Sequence, residues 1–397
     1  MKSLFDRMKE PELIDAFLEH QRLRSFSDFD FESKRAYVTS ERYLSDVERI
    51  SSGDYFLKVP VKKTIPKSLS DKKRTVYCVG GDDKIFLQVM SFALHDFDDR
   101  FPDAVYSSMI GKSFKKYINI LKNNRKLKDM YAVKVDISGY GSSIDSNTLI
   151  EMLRDFFVDD PAAFEFFKWL LERRLYYEEG QLTEGDTSAI PGIPIHSFFT
   201  NLYLLDMDIE VEEKCTAYCR YSDDILAFSE DRESAEALMA YFRGIIEGRK
   251  LRINEKKTAI YEPHSRIEHM GISYEDGRID ISDYSLYKLK RKMRIRAKRL
   301  RRQVEDGKLS PEAGAKSLIR LNHQTFFGRP NSHELSWSRW LFPILTETSG
   351  LHELELYFQR CIRYVMTGKW SDSGYRIKYK ELKALGYTSL VREYYRS

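Results

Sequence analysis

The chain has 397 residues, 42% of them hydrophobic, and a formal net charge of +4. This length supports a sizeable core divided into subdomains, and no apolar run is long enough to span a bilayer. The first 20 residues lack the apolar core of a signal peptide, so we expect a cytoplasmic protein with no membrane partner.

Four cysteines, Cys78, Cys215, Cys219 and Cys361, have no spacing typical of a disulfide framework. The pair at 215 and 219 precedes two histidines that could complete a zinc site. Cys219 falls inside a predicted strand, however, and the histidines come late for a zinc finger. Buried or incidental thiols are therefore the favoured interpretation.

Residues 1–50 form a charged helical region in which no chemistry is visible. An extended segment at 55–61 follows, and then a hairpin with cations on both arms. Lys67 and Arg74 lie on these arms. They could clamp a triphosphate, with lysine as a point charge and arginine as a planar fork, or they could be solvated surface cations.

A strand at 131–135 ends in Asp136, close to a glycine. A carboxylate at a strand end is well placed to meet a second acidic group on a neighbouring strand. The pattern then predicts helices at 147–157 and 161–177, a Gly/Pro-rich loop at 182–197 and an apolar helix at 198–207.

Two adjacent carboxylates, Asp223 and Asp224, lie between apolar runs at 217–220 and 225–228. Strand-like apolar runs on both sides of a short polar pair predict a β-hairpin with the acidic pair at its tip. Neighbouring carboxylates repel unless a cation neutralises them, and Mg²⁺ fits because it takes oxygen ligands. A solvated acidic turn is the alternative.

The chain continues with a predicted helix at 233–248, a strand at 259–261 and a hairpin at 269–281 with an Asp-Gly turn. A basic stretch without acids follows at 288–302; its basic residues are Lys288, Lys290, Arg291, Lys292, Arg294, Arg296, Lys298, Arg299, Arg301 and Arg302. Such a localised basic helix indicates contact with a nucleic-acid backbone, and a solvated charged helix is the alternative.

In order, these segments resemble the palm of reverse transcriptases over residues 55–285. Tyr221-Ser222-Asp223-Asp224 is similar to the YxDD box, and Asp136-Ile137 with Ser143-Ile144 resembles the box of the first metal-binding aspartate. The other matching boxes are Ile65-Pro66-Lys67 with Arg74, Gly192-Ile193-Pro194 through Asn201-Leu202, Leu251-x-Ile253-Asn254-x-x-Lys257-Thr258, and Met270-Gly271.

The resemblance implies an α/β (α+β) fold of the right-hand polymerase type, with fingers, a palm built on an antiparallel sheet with helices, and a helical thumb. The implied boundaries are an N-terminal helical region at 1–50, fingers at 51–130, a palm at 131–285 and a thumb or C-terminal region at 286–397. The palm would contain a helical insertion at 147–180.

The resemblance also implies the roles of individual residues. Asp136, Asp223 and Asp224 would be catalytic and would bind two Mg²⁺ ions together with Ile137, with Mn²⁺ as the alternative metal. The nucleotide-binding residues would be Lys67, Arg74, Tyr140, Gly141, Gly192 and Lys257. The residues that bind primer or other nucleic acid would be Tyr221, Met270, Gly271, Lys288, Lys290, Arg291, Arg294, Arg296, Lys298 and Arg299.

The implied function is that of an RNA-directed DNA polymerase, a nucleotidyltransferase that adds deoxynucleotides by two-metal phosphoryl transfer. The second box lacks the usual Pro-Gln-Gly, and there is no room for RNase H or integrase, so the chain resembles the bacterial abortive-infection and defence-associated group. That group implies antiviral defence, RNA binding, a noncoding RNA as a candidate partner, a DNA product and a candidate homo-oligomer.

Three other functions remain open at this point. An RNA-dependent RNA polymerase is disfavoured by the Met270-Gly271 hairpin and by the Asn254 to Thr258 box. A template-independent nucleotide polymeriser would use the same carboxylates. An RNA-binding scaffold with an inactive palm is disfavoured because all three carboxylates are present.

The choice of sugar is a separate question. Reverse transcriptases usually place a bulky aromatic ring five residues after the first metal-binding aspartate, where it rejects a ribose 2′-hydroxyl by steric clash. Here that position is Gly141, and the ring falls one residue earlier, at Tyr140. We expect another group to select the sugar; the alternatives are that Tyr140 swings into the gate or that the gate is open and the selectivity is weak.

Overall fold

The structure is a computed structural model that describes residues 2–22, 24–25, 27–66, 73–107, 114–185, 188–328, 336, 338, 341–370 and 377–396. The chain forms two compact units, Met1–Tyr117 with Asp129–Pro263, and Ile118–Lys128 with His264–Ser397. None of the helices in the described ranges combines the length and the apolar character needed to cross a bilayer.

The mixed α/β class predicted from the sequence is confirmed, with antiparallel strand pairs among many helices. The α-helices in chain order are α1 (Leu4–Met8), α2 (Pro11–Arg22), α3 (Asp28–Val38), α4 (Glu41–Ser51), α5 (Gly81–Ala93), α6 (Phe114–Asn123), α7 (Tyr140–Ser143), α8 (Ser146–Phe156), α9 (Pro161–Glu172), α10 (His196–Leu202), α11 (Leu205–Lys214), α12 (Arg232–Gly248), α13 (Asp283–Glu305), α14 (Pro311–Phe327), α15 (Ser349–Thr367), α16 (Tyr379–Ala384) and α17 (Leu390–Tyr394).

The strands are β1 (Val61–Pro66), β2 (Lys73–Cys78), β3 (Tyr131–Asp136), β4 (Leu175–Glu178), β5 (Gln181–Glu184), β6 (Ala217–Tyr221), β7 (Asp224–Ser229), β8 (Ala259–Tyr261), β9 (Ile267–His269), β10 (Ile272–Glu275) and β11 (Arg278–Ile281). Short 3-10 helices cover Leu94–Arg100, Arg125–Asp129 and Phe342–Ile344.

The sheet that carries the acidic residues has the strand order β6-β7-β3-β8, and all its pairs are antiparallel. The inner strands β3 and β7 are apolar along most of their length, with Val133, Val135, Ile225 and Ala227 fully buried. Helix α12 packs on this sheet. The buried residues of the two inner strands therefore fix the position of the polar strand ends, which lie together at one edge of the sheet.

A second sheet in the first unit has the order β2-β1-β4-β5 and contains the predicted cationic hairpin as β1 and β2. The prediction that a helix runs to residue 177 was wrong. Helix α9 ends at Glu172, and β4 and β5 form a hairpin closed by Glu179-Gly180. Both turn residues have positive φ, 51° and 85°, which is the geometry that two-residue hairpins favour.

Helix starts follow local capping chemistry. Asp160 accepts a hydrogen bond from the backbone of Ala163 at 3.2 Å, with Pro161 in the first turn, as predicted. The second carboxylate oxygen of Asp160 accepts from the backbone N–H of Leu4 at 2.6 Å. One side chain thus caps α9 and ties the N-terminal helices to it.

The second unit contains the sheet β11-β10-β9 and helices α13, α14 and α15, which pack against one another. The predicted Asp276-Gly277 turn is confirmed between β10 and β11. Fingers, palm and thumb are divisions by function, whereas the two units are divisions by contacts within the chain. The boundaries of fingers, palm and thumb therefore remain predictions.

Candidate active site

The acidic turn joins β6 to β7 through Ser222 and Asp223, as the sequence predicted. Tyr221 and Asp224 are the last paired residues of the two strands. Ser222 has a φ of 58°, in the left-handed region that costs a residue with a Cβ about 1–2 kcal/mol. The backbone is therefore strained at the point where the two carboxylates lie.

Asp136 ends β3 and lies directly opposite Asp224 on the neighbouring strand β7. The backbone N–H of Ile137 donates to the carbonyl of Asp223 at 2.9 Å, which ties the end of β3 to the turn. The structure thus brings the three predicted catalytic carboxylates to one edge of one sheet. Like charges at opposed strand positions repel, so the arrangement favours binding of a cation.

The segment 251–258 holds Asp136 from the other side. Asn254 Nδ2 donates to Asp136 Oδ1 at 2.7 Å, and Lys257 Nζ donates to Asp136 Oδ2 at 2.7 Å. The backbone N–H of Asp136 donates to Thr258 Oγ1 at 3.2 Å. Asp136 is only 6% exposed, so these contacts set the orientation of its carboxylate.

The charges at this edge perturb one another. Burial raises the pKa of Asp223, and the charges of Asp136 and Asp224 raise it further. Burial lowers the pKa of Lys257, but the hydrogen bond to Asp136 and the attraction of all three carboxylates outweigh that effect and raise it. Lys257 therefore stays charged and compensates part of the negative charge.

Within the described ranges, no group of three or more His, Cys, Asp or Glu side chains is already arranged to hold a metal ion. The donor set nevertheless fits a hard divalent cation, because carboxylate oxygens from three residues lie at one edge and repel one another. Both oxygens of the Asp136 carboxylate accept hydrogen bonds, one from Asn254 and one from Lys257.

The residues near the predicted sugar gate have separate roles. Tyr140 is 2% exposed, and its hydroxyl donates to the carbonyl of Thr200 at 2.5 Å. A Cβ on Gly141 would lie 2.7 Å from Nε2 of His196, so no larger residue fits at 141 without movement. The imidazole of His196 therefore occupies the space into which a side chain at 141 would extend.

The protonation of His196 follows from its contacts. Its Nδ1 lies 2.9 Å from the carbonyl oxygen of Ala189, which can only accept, so Nδ1 carries the proton. Burial lowers the pKa of His196 more than this hydrogen bond raises it. The ring is therefore neutral at neutral pH, and Nε2 presents a hydrogen-bond acceptor towards Gly141.

The remaining nucleotide-binding predictions lie on the second sheet and its neighbours. Gly192 has a φ of 107°, and a Cβ there would meet Val76 Cβ at 2.9 Å, so this glycine permits close packing on β2. Arg74 is exposed on β2. Lys67 lies outside the described residues. Asn201 is buried and donates to the carbonyl of Ser107 at 2.7 Å, which is a structural contact.

A sequence profile described as reverse transcriptase (RNA-dependent DNA polymerase) matches residues 61–274. This span is more than half of the chain and includes the cationic hairpin, all three carboxylates and the segment around Lys257. The chain belongs to the reverse transcriptase family. No curated protein matches the chain significantly in sequence.

Solved telomerase structures from two Candida species are similar at low identity. Apo telomerase of Candida tropicalis, truncated from the C-terminal domain, matches at 13% identity and a TM-score of 0.45, over 57% of this chain and 55% of that one. Apo telomerase of Candida tropicalis matches at 12% identity and a TM-score of 0.45, over 85% of this chain and 68% of that one. Telomerase of Candida albicans in complex with a fragment of telomeric RNA matches at 13% identity and a TM-score of 0.44, over 88% of this chain and 68% of that one. This chain thus spans about half of the first of these chains.

Tyr221, a predicted primer contact of the reverse transcriptase domain, is 37% exposed at the end of β6. Met270 and Gly271 form the two-residue turn between β9 and β10 in the second unit, with φ of 49° and 89°. A Cβ on Gly271 would lie 3.0 Å from Ser285 Oγ, so this turn packs closely on the start of α13. The primer contacts themselves remain a prediction.

The predicted basic helix is confirmed as part of α13, and its cations divide between two faces. Arg296 donates to the carbonyl of Leu321 and to Asn322 Oδ1, both at 3.1 Å, and Lys290 pairs with Glu353. These side chains hold the unit together. The outward face comprises Tyr284, Tyr287, Lys288, Arg291, Lys292, Ile295, Lys298, Arg299 and Arg302, all of them exposed or half-buried. Arg294 is exposed at the border of this face, with its guanidinium 5.6 Å from the centroid of the Trp370 ring.

Some residues at this site could not be assigned a place from the sequence. Asn254 was recognised as part of a box, but its bond to the Asp136 side chain depends on the fold. His196 was visible only as a departure from the usual second box. Arg220 and Asp208 gave no signal, although they form a fully buried ion pair beneath the acidic turn.

Proposed function

We propose that this chain is an RNA-directed DNA polymerase that adds deoxynucleotides to a primer. The observation that carries the proposal is the meeting of Asp136, Asp223 and Asp224 at one sheet edge, compensated by Lys257, inside the span that matches the reverse transcriptase family. Template RNA, deoxynucleotides and a DNA product are the corresponding partners.

The three carboxylates and the carbonyl of Ile137 are the groups that would hold divalent metal ions, Mg²⁺ or Mn²⁺. When bound, two such ions would activate the primer 3′-hydroxyl and stabilise the leaving pyrophosphate. The chain's own part is orientation: Asn254 and Lys257 hold Asp136, and the strained turn presents Asp223 and Asp224. We assign Lys257 to phosphate neutralisation as well, since its side chain is 59% exposed and its ammonium lies beside the carboxylates.

Nucleic acid would bind on the outward face of α13. Tyr284 and Tyr287 are 58% and 60% exposed, and stacking on such rings tolerates any base. Because Arg296 and Lys290 are engaged within the unit, the informative substitutions are Lys292→Ala, Lys298→Ala, Arg299→Ala and Arg302→Ala together. This variant should bind an RNA–DNA hybrid more weakly, with a salt slope lower by about 0.9 for each lost phosphate contact.

The control for this surface is Arg296→Ala, which removes one cation from the inner face, whereas the outward-face variant removes four. It should lower stability through the lost bonds to Leu321 and Asn322 and leave the salt slope nearly unchanged. If Arg296→Ala lowers the slope by as much for its one charge as the outward-face variant does for each of its four, net charge and not the outward face governs binding.

For the sugar, we propose that His196 takes over discrimination from the missing ring at 141. His196→Ala should lower the preference for deoxynucleotides over ribonucleotides, and His196→Ala with Gly141→Phe should restore it, since the space is then refilled. Tyr140→Ala should change the packing around residue 140 and leave the ratio of deoxynucleotide to ribonucleotide use nearly unaltered. The reason is that the hydroxyl of Tyr140 is hydrogen-bonded to the carbonyl of Thr200. A ratio that collapses only in Tyr140→Ala would make Tyr140 the gate.

The decisive experiment measures incorporation of labelled nucleotides by the purified protein on primed RNA and on primed DNA, with each nucleotide set in turn. Deoxynucleotide incorporation on RNA supports the proposal. Ribonucleotide incorporation alone would make the chain an RNA-dependent RNA polymerase, and incorporation without template a template-independent polymeriser. Incorporation under none of these conditions would leave the RNA-binding scaffold.

A dedicated noncoding RNA, a homo-oligomer and a role in anti-phage defence remain predictions that follow from the sequence resemblance, and the cytoplasmic location remains a prediction from the N-terminal sequence. Sequencing the nucleic acid that co-purifies with the protein tests the first of these. A single abundant RNA species would support a dedicated template, and a mixture that mirrors total RNA would contradict it.

A further inference from the structure

Arg220 is the residue directly before the Tyr221-Ser222-Asp223-Asp224 turn, and its side chain is fully buried. It forms an ion pair with Asp208 of α11, which is equally buried. Its Nε donates to Asp208 Oδ1 at 2.8 Å, and one of its terminal nitrogens donates to Oδ2. Burying a charged arginine is costly, so its retention calls for a function beyond filling space.

The other donors of Arg220 reach three backbone carbonyls. One terminal nitrogen donates to Asn201 at 3.1 Å, and the other donates to Thr200 and to Ser222, each at 3.4 Å. All five N–H groups of the guanidinium therefore have acceptors. One acceptor belongs to Ser222, the strained residue of the acidic turn, and two belong to the C-terminal end of α10.

The Thr200 carbonyl serves a second partner, the hydroxyl of Tyr140, which donates to it at 2.5 Å. Tyr140 begins the short helix α7, a few residues after Asp136. The C-terminal end of α10 is thus a common anchor: it holds the chain that follows Asp136 through Tyr140 and the turn that bears Asp223 and Asp224 through Arg220.

The strand that carries Arg220 is fixed by its backbone as well. The N–H of Arg220 donates to Ala104 at 2.9 Å, and its carbonyl accepts from Tyr106 at 3.0 Å. Tyr218, on the same strand, donates through its hydroxyl to Asp208 Oδ1 at 2.6 Å. The backbone hydrogen bonds fix the strand, and the hydroxyl of Tyr218 fixes Asp208, so the guanidinium can move little. Its hydrogen bond to the Ser222 carbonyl therefore restrains that carbonyl as well.

We propose that Arg220, oriented by Asp208, is a positioning residue that sets the distance between the acidic turn and Asp136 by anchoring the turn to the end of α10, to which Tyr140 ties the chain that follows Asp136. The inference rests on the proposed function of the three carboxylates. Arg220 touches no reacting group in this scheme; it acts through the Ser222 carbonyl.

The test compares Arg220→Lys with Arg249→Lys in the full chain. A lysine keeps the charge for Asp208 but cannot reach Asp208, α10 and Ser222 at once. Arg249 donates to the carbonyl of Tyr203 at 2.8 Å and pairs with Asp206, so it has the same kind of contacts without touching the turn. The control therefore also loses an Arg–Asp pair, one that is less buried because Asp206 is 55% exposed.

In Arg220→Lys we expect kcat to fall by about 100-fold, the loss typical of a displacement of about 1 Å. The KM for nucleotide should change much less than kcat, since the loss is in positioning. Hydrogen exchange of the turn and of Ile137, whose N–H donates to Asp223, should speed up locally, and the rest of the unit should stay protected. Arg249→Lys should change neither kcat nor the hydrogen exchange of the turn.

Tyr140→Phe is the second variant, and it keeps the proposal testable if Arg220→Lys does not fold. It removes one hydrogen bond to Thr200 and preserves the ring, so it should lower kcat in the same direction by a smaller factor. A kcat of Arg220→Lys equal to that of Arg249→Lys, with unchanged local exchange, would overturn the proposal. An inactive wild-type protein would reject the polymerase function, whereas the exchange measurement would still decide whether Arg220 holds the turn.

Discussion

Two hairpins of this protein close through two-residue turns and differ in what occupies the turn. The hairpin of β10 and β11 in the second unit turns through Asp276 and Gly277, with φ of 52° and 78°. The acidic hairpin of β6 and β7 turns through Ser222 and Asp223, where Ser222 has a φ of 58° and no glycine is present. The first uses the residues that such turns favour, whereas the second does not.

The difference has a physical reason. Aspartate and glycine adopt left-handed backbone at little cost, whereas serine does so at the expense of stability. Burial raises the pKa of Asp223 in the acidic hairpin, and repulsion by the carboxylates of Asp136 and Asp224 raises it further. Strain and repulsion at the same turn are typical of a functional site that the surrounding structure stabilises, here through Arg220 and the segment 251–258.

The largest effect should come from removing the carboxylates themselves. Asp223→Ala with Asp224→Ala should lower nucleotide incorporation by at least about 10³-fold, because several kcal/mol of charge stabilisation are lost. The fold should persist, since mutually repelling groups have been removed. Incorporation and thermal unfolding are measured side by side.

The matched control is Asp276→Asn, which removes a carboxylate from the turn of the other hairpin and should leave incorporation intact. Asparagine tolerates left-handed backbone, so the turn is preserved. Residual synthesis near the wild-type rate in the double variant would contradict the assignment of the acidic turn.

The next largest effect should come from the glycine in the turn between β10 and β11. Gly277→Ala should destabilise the protein by about 1–2 kcal/mol, because alanine resists positive φ. A Cβ at this position would meet nothing within 4 Å, so the cost comes from the backbone alone. Denaturant unfolding measures it, and an unchanged midpoint would show that the second hairpin tolerates strain as the acidic one does.

A smaller effect is expected from Asp223→Asn in metal-free buffer. The raised pKa means that the ionised carboxylate destabilises the fold as pH rises through that pKa, and that the penalty is absent below about pH 3.9, where the side chain is protonated in both states. The variant should therefore be more stable than wild type at neutral pH by up to about 1 kcal/mol.

Unfolding measured across pH tests this sign. The gain from Asp223→Asn should vanish on acidification and should shrink when MgCl₂ is added to both proteins, since a bound cation relieves the same repulsion in wild type. A gain that is independent of pH would mean that repulsion at the turn is not its cause.

The smallest effect should come from making the acidic turn resemble the other one. Ser222→Gly relieves the strain but adds freedom to the unfolded chain, so a net gain of a few tenths of a kcal/mol is expected. Incorporation should fall, because the carboxylates are held less firmly. A loss of stability would show that Ser222 is not strained.

The sequence predicted this protein well wherever the signal is local. Short, strand-like apolar runs identified β3, β6 and β7, and the Asp276-Gly277 pair identified its turn. The same chemistry at Glu179-Gly180 could have revealed the hairpin of β4 and β5, whose first strand was wrongly predicted as a continuation of α9 and whose second strand was mostly predicted as loop. Over so few positions, the sequence pattern of a helix is hard to distinguish from that of a short strand rich in aromatic residues.

The tertiary structure alone decided which side chains meet. The sequence placed Asp136, Asp223 and Asp224 at strand ends, but only the antiparallel register puts Asp136 opposite Asp224. It identified a basic helix, but only packing distinguishes the engaged Arg296 from the outward face. His196 beside Gly141 and Arg220 beside Asp208 are pairs from distant segments, and no local pattern encodes them. Propensity and periodicity act between near neighbours in the chain, whereas the contacts of a catalytic site form between segments that folding brings together.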